Sequence, residues 1–340
     1  MSKVTQPTSS EIGVLWTAYM NDSMSNLILN YFLKTVEDTE IKEVILYAID
    51  LTVKHQEYII HLFNNEGLPV PKAFNQNDVR LDAPRLLSDP FMLMYINHMS
   101  KAGHFAYSGF ISMCARDDLI DFFSTGLKET NELYKKSITS LKKKGLYIRS
   151  PYISVKSEPE MVKDKSYLSG FQIFTKQRPV NTIEISHLYT NIQTNLIGAM
   201  LSLAFAQTSP SKEVQKFMLR GKDISQKHVK IFTSALMDSN VQAPNTWDNS
   251  VTNETTQVFS DKLMMFHMSL LAATGIGNYA TAAAASQRSD LALNYERLSL
   301  EIALFAKDGA DIMLKYNWLE EPPGMVNKTV LAKEKKEETH

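Results

Sequence analysis

Residues 88–150 read SDPFMLMYINHMSKAGHFAYSGFISMCARDDLIDFFSTGLKETNELYKKSITSLKKKGLYIRS, and residues 260–321 repeat their pattern as SDKLMMFHMSLLAATGIGNYATAAAASQRSDLALNYERLSLEIALFAKDGADIMLKYNWLEE. A shift of 172 positions brings identical residues together: Gly103 with Gly275, Tyr107 with Tyr279, Asp118 with Asp290, and Glu129 with Glu301. Upstream, a shift of 173 positions does the same: Glu11 with Glu184, Asp50 with Asp223, His55 with His228, and Pro71 with Pro244. The sequence therefore predicts a tandem duplication of a unit of about 140 residues.

Length and composition set the class of protein. A chain of 340 residues is long enough for two domains, and its hydrophobic fraction of 44% supplies two cores. The formal net charge of −1 provides no bulk attraction to nucleic acid or to an anionic membrane, so neither is an expected partner. The single cysteine, Cys114, excludes an intramolecular disulfide and fits a reducing compartment. We therefore expect a cytoplasmic protein.

Two stretches have the place or the composition of a secretory signal or a membrane span. The start, MSKVTQPTSSE, has no apolar core and does not read as a secretory signal. The run from Leu263 to Ala285 carries no charge, but polar residues such as His267 and Asn278 interrupt it, and the matching run in the first copy contains Lys101 and His104. A buried helix is the favoured interpretation over a membrane span.

Capping signals place the first helix of each copy. Thr8 with Glu11 forms a capping box, and Asn181 with Glu184 repeats the spacing in the second copy. Helix A is predicted to end near Thr35, and helix B runs from the VEDTE turn to Glu66. Helix C begins at Ser88-Asp89-Pro90 and ends near Cys114, and helix D covers about Asp117 to Lys144.

The connection between helices B and C decides the topology. It covers Gly67 to Leu87, and some twenty extended residues reach about 65 Å, whereas a helix of 27 residues is about 40 Å long. The other turns are too short to cross a bundle. This pattern predicts an all-α chain of two tandem ferritin-like four-helix bundles, each with a long B-to-C crossover. The expected boundaries are 8–150 for the first bundle, 151–180 for a linker, 181–323 for the second bundle and 324–340 for a disordered charged tail.

Ferritin-like bundles often hold a pair of metal ions, which requires a carboxylate on each of two helices and a Glu-x-x-His on each of the other two. Helix C has no Asp or Glu between Pro90 and Ala115, and its counterpart has none between Lys262 and Arg288. Glu184 with His187 matches Glu-x-x-His, but Glu184 serves as a capping residue. The sequence therefore predicts no di-iron centre, no cofactor and no enzymatic activity.

Histidines leave one alternative open, because His55 and His228 occupy the same position of the two copies. An atypical metal or small-ligand site could use His55, His104 and Asp22 in the first bundle and His228 in the second. In the structural interpretation, each histidine bridges helix B to a neighbouring helix or loop.

Helix C is apolar on nearly every side, whereas a four-helix bundle buries only one stripe. The positions expected to pack closely or to form an interface are Gly103, Tyr107, Gly275, Gly277 and Tyr279. Three candidates could cover the remaining surface: the other bundle, the linker, or a second molecule. Self-association, or association with other proteins, is accordingly expected.

One family resemblance follows from these features. The double bundle, the helix-hairpin pattern, and the ending in which Arg288 and Glu296 precede KYNWLEEPP resemble a two-bundle family of endospore-forming bacteria. That family is similar to the coat F spore coat proteins within the ferritin-like superfamily, and the likeness covers about residues 8–325. It implies a structural role by assembly in or near the spore coat, after synthesis in the mother-cell cytoplasm. The acid-free helix C argues against a ferritin-style oxidase.

Overall fold

The computed structural model describes residues 6–155, 157–170, 177–244 and 250–337. Within these ranges the fold is all-α, with eight long helices in two groups of four, as predicted. The first half contains α1 (Ser9–Thr35), α2 (Thr39–Asn65), α3 (Asp89–Ser112) and α4 (Asp117–Lys143). The second half contains α5 (Thr182–Thr208), α6 (Lys212–Met237), α7 (Asp261–Ala285) and α8 (Ser289–Lys315). Both long connections between the second and third helices are present.

One buried glutamate fixes the start of each half. Both predicted capping boxes form, at Thr8 with Glu11 and at Asn181 with Glu184. The Glu11 carboxylate also accepts hydrogen bonds from the backbone N–H groups of Ala115 (2.9 Å) and Arg116 (2.8 Å), in the turn between α3 and α4. Burial raises the pKa of Glu11, but these bonds and those from Thr8 outweigh it and lower the pKa to about 2.

The two long connections pair with each other, which the sequence did not predict. Val79 forms an antiparallel bridge with Phe259, and Leu87 forms one with Val251. Under the shift of 172 positions, Val79 corresponds to Val251 and Leu87 to Phe259, so the two bridges exchange when the halves are exchanged. The halves are therefore related by an approximate twofold axis, as in a symmetric dimer fused into one chain.

Helices α3 and α7 meet near this axis. Tyr95 and His267 occupy equivalent positions, are both buried, and join through Tyr95 Oη and His267 Nε2 at 2.9 Å. A single apolar cluster spans both halves, and its members include Met24, Phe91, Met92, Leu201, Phe205, Met264 and Met268. Of the three candidates for covering helix C, the other bundle thus covers the N-terminal parts of α3 and α7.

The C-terminal parts of the same two helices remain partly uncovered. The Phe105 side chain of α3 is 73% exposed. On α7, the exposed positions are small, and they include Ala273, Gly277 and Ala280. These segments lie beyond the region in which the two halves contact each other through Tyr95 and His267.

The linker and the C-terminal tail lie outside the eight long helices. Residues 156 and 171–176 of the predicted linker lie outside the described residues. A short helical turn, Lys165–Tyr167, lies between them, and the Leu168 carbonyl after it accepts a hydrogen bond from the backbone N–H of Ser289 (3.0 Å). Where the sequence predicted a disordered tail over 324–340, the structure has a helix, α9 (Lys328–Glu337). Asn327 Oδ1 accepts the Thr329 N–H (3.0 Å) at its start, and good helix formers follow.

None of the helices in the described ranges combines the length and the hydropathy that a membrane span requires.

Candidate functional site

A polar cluster lies at the same place in each half, and each of the four helices contributes one side chain. In the first half the members are Asp22 (α1), His55 (α2), Tyr107 (α3) and Glu129 (α4). In the second half the equivalent members are Asn195 (α5), His228 (α6), Tyr279 (α7) and Glu301 (α8). The two clusters therefore differ in one residue type, aspartate against asparagine.

In the second-half cluster, hydrogen bonds join all four side chains in one continuous chain. Asn195 Nδ2 donates to Tyr279 Oη (2.7 Å), Tyr279 Oη lies 2.9 Å from His228 Nδ1, and His228 Nε2 lies 3.1 Å from Glu301 Oε2. Because the amide nitrogen only donates, the tyrosine hydroxyl proton is directed at Nδ1, and the imidazole carries its proton on Nε2, towards Glu301. Burial lowers the pKa of His228, and Glu301 offsets this only in part. The neutral imidazole is therefore favoured.

In the first-half cluster, aspartate changes the electrostatics. Tyr107 Oη lies 2.8 Å from His55 Nδ1, and His55 Nε2 lies 3.3 Å from Glu129 Oε2, as in the second half. Asp22 Oδ2 lies 3.5 Å from His55 Nδ1 but accepts no hydrogen bond from any residue that the structure describes. Burial lowers the pKa of His55, but Asp22 and Glu129 outweigh it and raise the pKa overall. Burial raises the pKa of Asp22, and His55 partly offsets that rise.

A cavity of about 180 Å³ lies beside Asp22, and we call it the first-half cavity. The equivalent cavity of the second half measures about 60 Å³. Thr130 and Leu133 line the larger cavity, and Ile302 and Phe305 take their places in the smaller one. The Phe305 ring is held by stacking on Phe217, with 4.2 Å between ring centroids. Larger side chains therefore fill in the second half a space that the first half keeps open.

Both halves contribute to the wall of the first-half cavity. Most of its wall comes from α1, α2, α3 and α4, but Leu270 and Thr274 of α7 also line it. These two residues lie near the contact between Tyr95 and His267, where α3 meets α7. The second half therefore supplies part of the wall, in addition to its own filled core.

The structure brings together only two of the four residues considered for an atypical metal site. Asp22 and His55 are in contact, His228 lies in the second half, and the His104 ring instead contacts the Tyr134 ring, with centroids 5.4 Å apart. Among the described residues, no group of three or more His, Cys, Asp or Glu side chains is arranged to hold a metal ion. Asp22 and Glu129 face different nitrogens of the His55 ring, so the two carboxylates cannot meet one ion together with it.

Sequence reasoning missed three members of the clusters, namely Glu129, Glu301 and Asn195. The signal for the first two was present, because the repeat aligns Glu129 with Glu301 as it aligns His55 with His228. The sequence alone does not show that the fourth helix of each half passes close to the second helix at these positions. Asn195 had no signal, because it differs from its counterpart.

The positions expected to pack closely behave differently from one another. Tyr107 and Tyr279 are buried, and each hydroxyl reaches a histidine. A Cβ at Gly103 would lie 2.8 Å from Thr130 Cγ2, so α3 and α4 approach closely there, and a Cβ at Gly275 would be in ordinary contact with Ile302 (3.5 Å). A Cβ at Gly277 would meet no described atom within 4 Å, so this glycine does not pack closely within the chain.

Gly126 of α4 provides a test of how firmly Tyr107 is held. A Cβ at this position would lie 2.7 Å from Tyr107 Cε1, whose ring is fixed by the hydrogen bond to His55. Overpacking costs about 1–3 kcal/mol, and alanine gains about 1 kcal/mol in helix propensity, so Gly126→Ala should lower the free energy of unfolding by about 1 kcal/mol net. The measurement is urea unfolding.

Gly109→Ala on α3 is the matched control, because a Cβ there meets nothing described within 4 Å. It should raise the free energy of unfolding by up to about 1 kcal/mol. If both variants changed the free energy of unfolding by the same amount and in the same direction, the close contact between Tyr107 and Gly126 would not affect stability.

The outer face of α8 differs from that of its counterpart α4. Leu293, Leu300 and Leu304 follow a helical spacing and are 52%, 61% and 57% exposed. The equivalent residues of α4 are charged, namely Asp121, Lys128 and Glu132. We call the three leucines the α8 leucine face. It is an apolar surface at positions that the other copy keeps polar.

The chain is similar to known proteins in two comparisons, with a solved structure and with a family model. A crystal structure of a "putative spore coat protein" from Bacillus halodurans C-125 is similar to part of this chain, with 20% sequence identity and a TM-score of 0.40. The similarity covers 44% of this chain and 98% of that one. A comparison with curated proteins gave no significant match. The family model described as "Protein of unknown function (DUF3231)" matches residues 2–158 and again residues 169–331. Because these two matches span nearly the whole sequence, the chain belongs to the DUF3231 family and carries its pattern once in each half.

Proposed function

We propose that this chain is a non-enzymatic binding protein whose first half holds a small molecule in its core. The observation that carries the proposal is the difference between two equivalent cavities, about 180 Å³ in the first half and about 60 Å³ in the second. Empty space in a core costs stability, and the second half shows that this sequence pattern can fill it. A binding site requires open space, and only the first half keeps a space large enough for a small molecule.

The second half then acts as a scaffold. Its filled core and closed hydrogen-bond chain stabilise it without a ligand, and Leu270 and Thr274 of α7 complete the wall of the first-half cavity. All four polar groups of the second cluster, and Tyr107, His55 and Glu129 of the first, are oriented mainly by one another. That arrangement favours a fixed binding pocket over a site of chemical turnover.

Thermal unfolding of the full chain with small probes tests the proposal. Benzylamine, benzyl alcohol and benzoate share one ring and differ in their polar group. At least one of them should raise the unfolding temperature at millimolar concentration, since a ligand that binds only the folded state stabilises it. A variant that combines Thr130→Ile with Leu133→Phe carries the two residues of the second half and should show no shift. If no probe acts on the wild type, or if the filled variant responds equally, the proposed function is wrong.

A second candidate function is assembly, and the α8 leucine face is the observation that favours it. We propose a second copy of this chain as the occupant. The chain already joins its own halves through apolar helix faces, and a net charge of −1 gives copies little mutual repulsion. The double bundle and the ending KYNWLEEPP support a place in or near a spore coat, after synthesis in the mother-cell cytoplasm. This proposal includes no nucleic acid and no membrane.

Sedimentation tests the assembly proposal. A variant with Leu293→Asp, Leu300→Lys and Leu304→Glu carries the residues of α4 at the three positions. The wild type should sediment as a dimer or larger species at tens of micromolar, and the variant as a monomer. Lys307→Ala, which changes an exposed charge on the same helix, is the control and should leave the oligomer intact. A monomeric wild type would remove the basis for this role.

A further inference from the structure

The two cavities differ in charge as well as in size. In the second half, Asn195 donates to Tyr279 and completes a hydrogen-bond chain. In the first half, the ionised Asp22 carboxylate can only accept. The residue lines the cavity, and its Oδ2 atom, which lies 3.5 Å from His55 Nδ1, accepts no hydrogen bond from any described residue. The Asp22 side chain is largely buried, with 14% of it exposed. A buried carboxylate without a hydrogen-bond donor costs free energy, and a donor that reached its exposed part from the cavity would recover some of that cost.

We propose that the first-half cavity binds a small primary ammonium compound, with the ammonium group on Asp22 and an apolar body in the remaining space. This inference rests on the proposed binding function and adds the chemical class of the ligand.

Charge balance selects a cation. The carboxyl groups of Asp22 and Glu129 flank one imidazole, so when both are ionised two negative charges face at most one positive charge. Burial raises the pKa of Asp22, and a cation placed beside it would favour the ionised form. The residues that line the cavity include no lysine and no arginine. An anionic ligand would be buried next to Asp22 without a counter-charge, which is strongly unfavourable. An ammonium group, in contrast, would offset the negative charge of the Asp22 carboxylate and donate a hydrogen bond to it.

Hydrogen-bonding geometry favours an ammonium group over a bare metal ion. An ammonium carries three donors, and Ser25 and Thr130, whose side chains carry hydroxyl groups, line the same cavity as Asp22. A divalent cation is usually held by several charged or imidazole ligands, and the described residues provide no group of three or more His, Cys, Asp or Glu side chains for it.

Size and wall chemistry set the body of the ligand. Apart from the polar end, the walls are mainly apolar and include Leu51, Ile96, Leu133 and Leu270. A cavity of roughly 150 Å³ with such walls accommodates a benzene-sized molecule, so this cavity fits an apolar group of about six carbons. The second half offers neither the carboxylate nor the room, and it should not bind the same compounds.

Calorimetric titration of the full chain tests the ligand class. Benzylamine should bind the wild type about tenfold or more tightly than benzyl alcohol, as expected for a charge-assisted hydrogen bond, and benzoate should not bind measurably. Asp22→Asn reproduces the residue found at the equivalent position and keeps the shape of the side chain. It should abolish the preference for benzylamine while leaving the weaker binding of benzyl alcohol in place.

Two further variants keep the outcomes distinct. The cavity-filling pair Thr130→Ile and Leu133→Phe should bind none of the probes, and Asn195→Asp should create no second site, because the second-half cavity is too small. If benzyl alcohol or benzoate binds the wild type as tightly as benzylamine, or if Asp22→Asn keeps the preference, the ligand class is wrong although a binding function stands. If no probe binds at all, the proposed function itself fails.

Discussion

Replacing Glu184 with alanine is expected to lower the free energy of unfolding by about 3 kcal/mol or more, since breaking a buried ion pair leaves a charge without compensation. The Glu184 side chain is fully buried and pairs with Arg178 at 2.7 Å. It also accepts the Arg288 backbone N–H (2.9 Å) and that of Asn181 (2.9 Å). The substitution therefore disconnects the start of α5 from the turn before α8. Urea unfolding of the full chain measures the effect.

Glu213→Ala is the matched control. Glu213 also lies in the first turn of a helix, α6, but its partner Lys315 is at the surface, and an exposed ion pair contributes little to stability. A loss below about 1 kcal/mol for Glu184→Ala, similar to that of the control, would show that the glutamate does not join the two ends of the bundle.

The pH dependence of Glu184 has a defined sign. Burial raises its pKa, but the hydrogen bonds from Arg178, Asn181 and Arg288 outweigh burial and lower the pKa below the usual 4.5. A carboxyl with a lowered pKa in the folded state stabilises the protein fully above the unfolded pKa, and its contribution is lost as the pH falls below about 4.5 towards the folded value. The destabilisation by Glu184→Ala should accordingly shrink on acidification.

Acidification from pH 6.5 to pH 4 is expected to destabilise the contact between the halves, and the cause is a pair of buried histidines. Burial, with a smaller effect of Lys101, lowers the pKa of His98 to about 4. Burial, with a smaller effect of His98, lowers the pKa of His267 to about 3. A histidine in the unfolded chain titrates near 6.5. Below that pH the unfolded state therefore binds protons that the buried imidazoles of the folded state do not bind. Each histidine can contribute up to about 1.4 kcal/mol of lost stability per pH unit.

His98→Leu isolates this effect, because Leu270 occupies the equivalent position of the second half. The free energy of unfolding, measured in urea at several pH values, should fall less steeply for the variant than for the wild type between pH 6.5 and pH 4. His61→Gln changes an exposed histidine and should leave the wild-type slope unchanged. Carboxylates titrate in all three proteins, so the difference between the slopes is the relevant quantity. Equal slopes for His98→Leu and the wild type would mean that His98 takes up a proton without opening the interface.

Much of the fold could be predicted from the sequence, because its signals are short in range. Capping boxes at Thr8 and Asn181 depend on side chains three residues apart, and both form. The length of the connection from Gly67 to Leu87 constrained the order of the helices through chain geometry alone. The family match in each half confirms the duplication. A local prediction made for one copy therefore also held for the equivalent residues of the other.

The candidate site was predicted only in part. Asp22 and His55 were considered together, and they are in contact. His104 was added to them because of its residue type, yet its ring lies against Tyr134. Glu129 was left out although it contacts His55, because which residues of two helices face each other depends on how the helices pack, and packing is not encoded in the spacing along either one.

By itself the sequence determined two tandem four-helix units, the approximate bounds of their helices, and the absence of acidic residues from α3 after Asp89 and from α7 after Asp261. Caps, periodicity and residue types act within a few residues. The tertiary structure alone decided that the two long connections pair across an approximate twofold axis and that Tyr95 meets His267. It also decided that one cavity stays open beside Asp22 while Phe305 fills the other. These features depend on contacts between residues far apart in the chain, and the volume left between packed helices is known only when all of their side chains are in place.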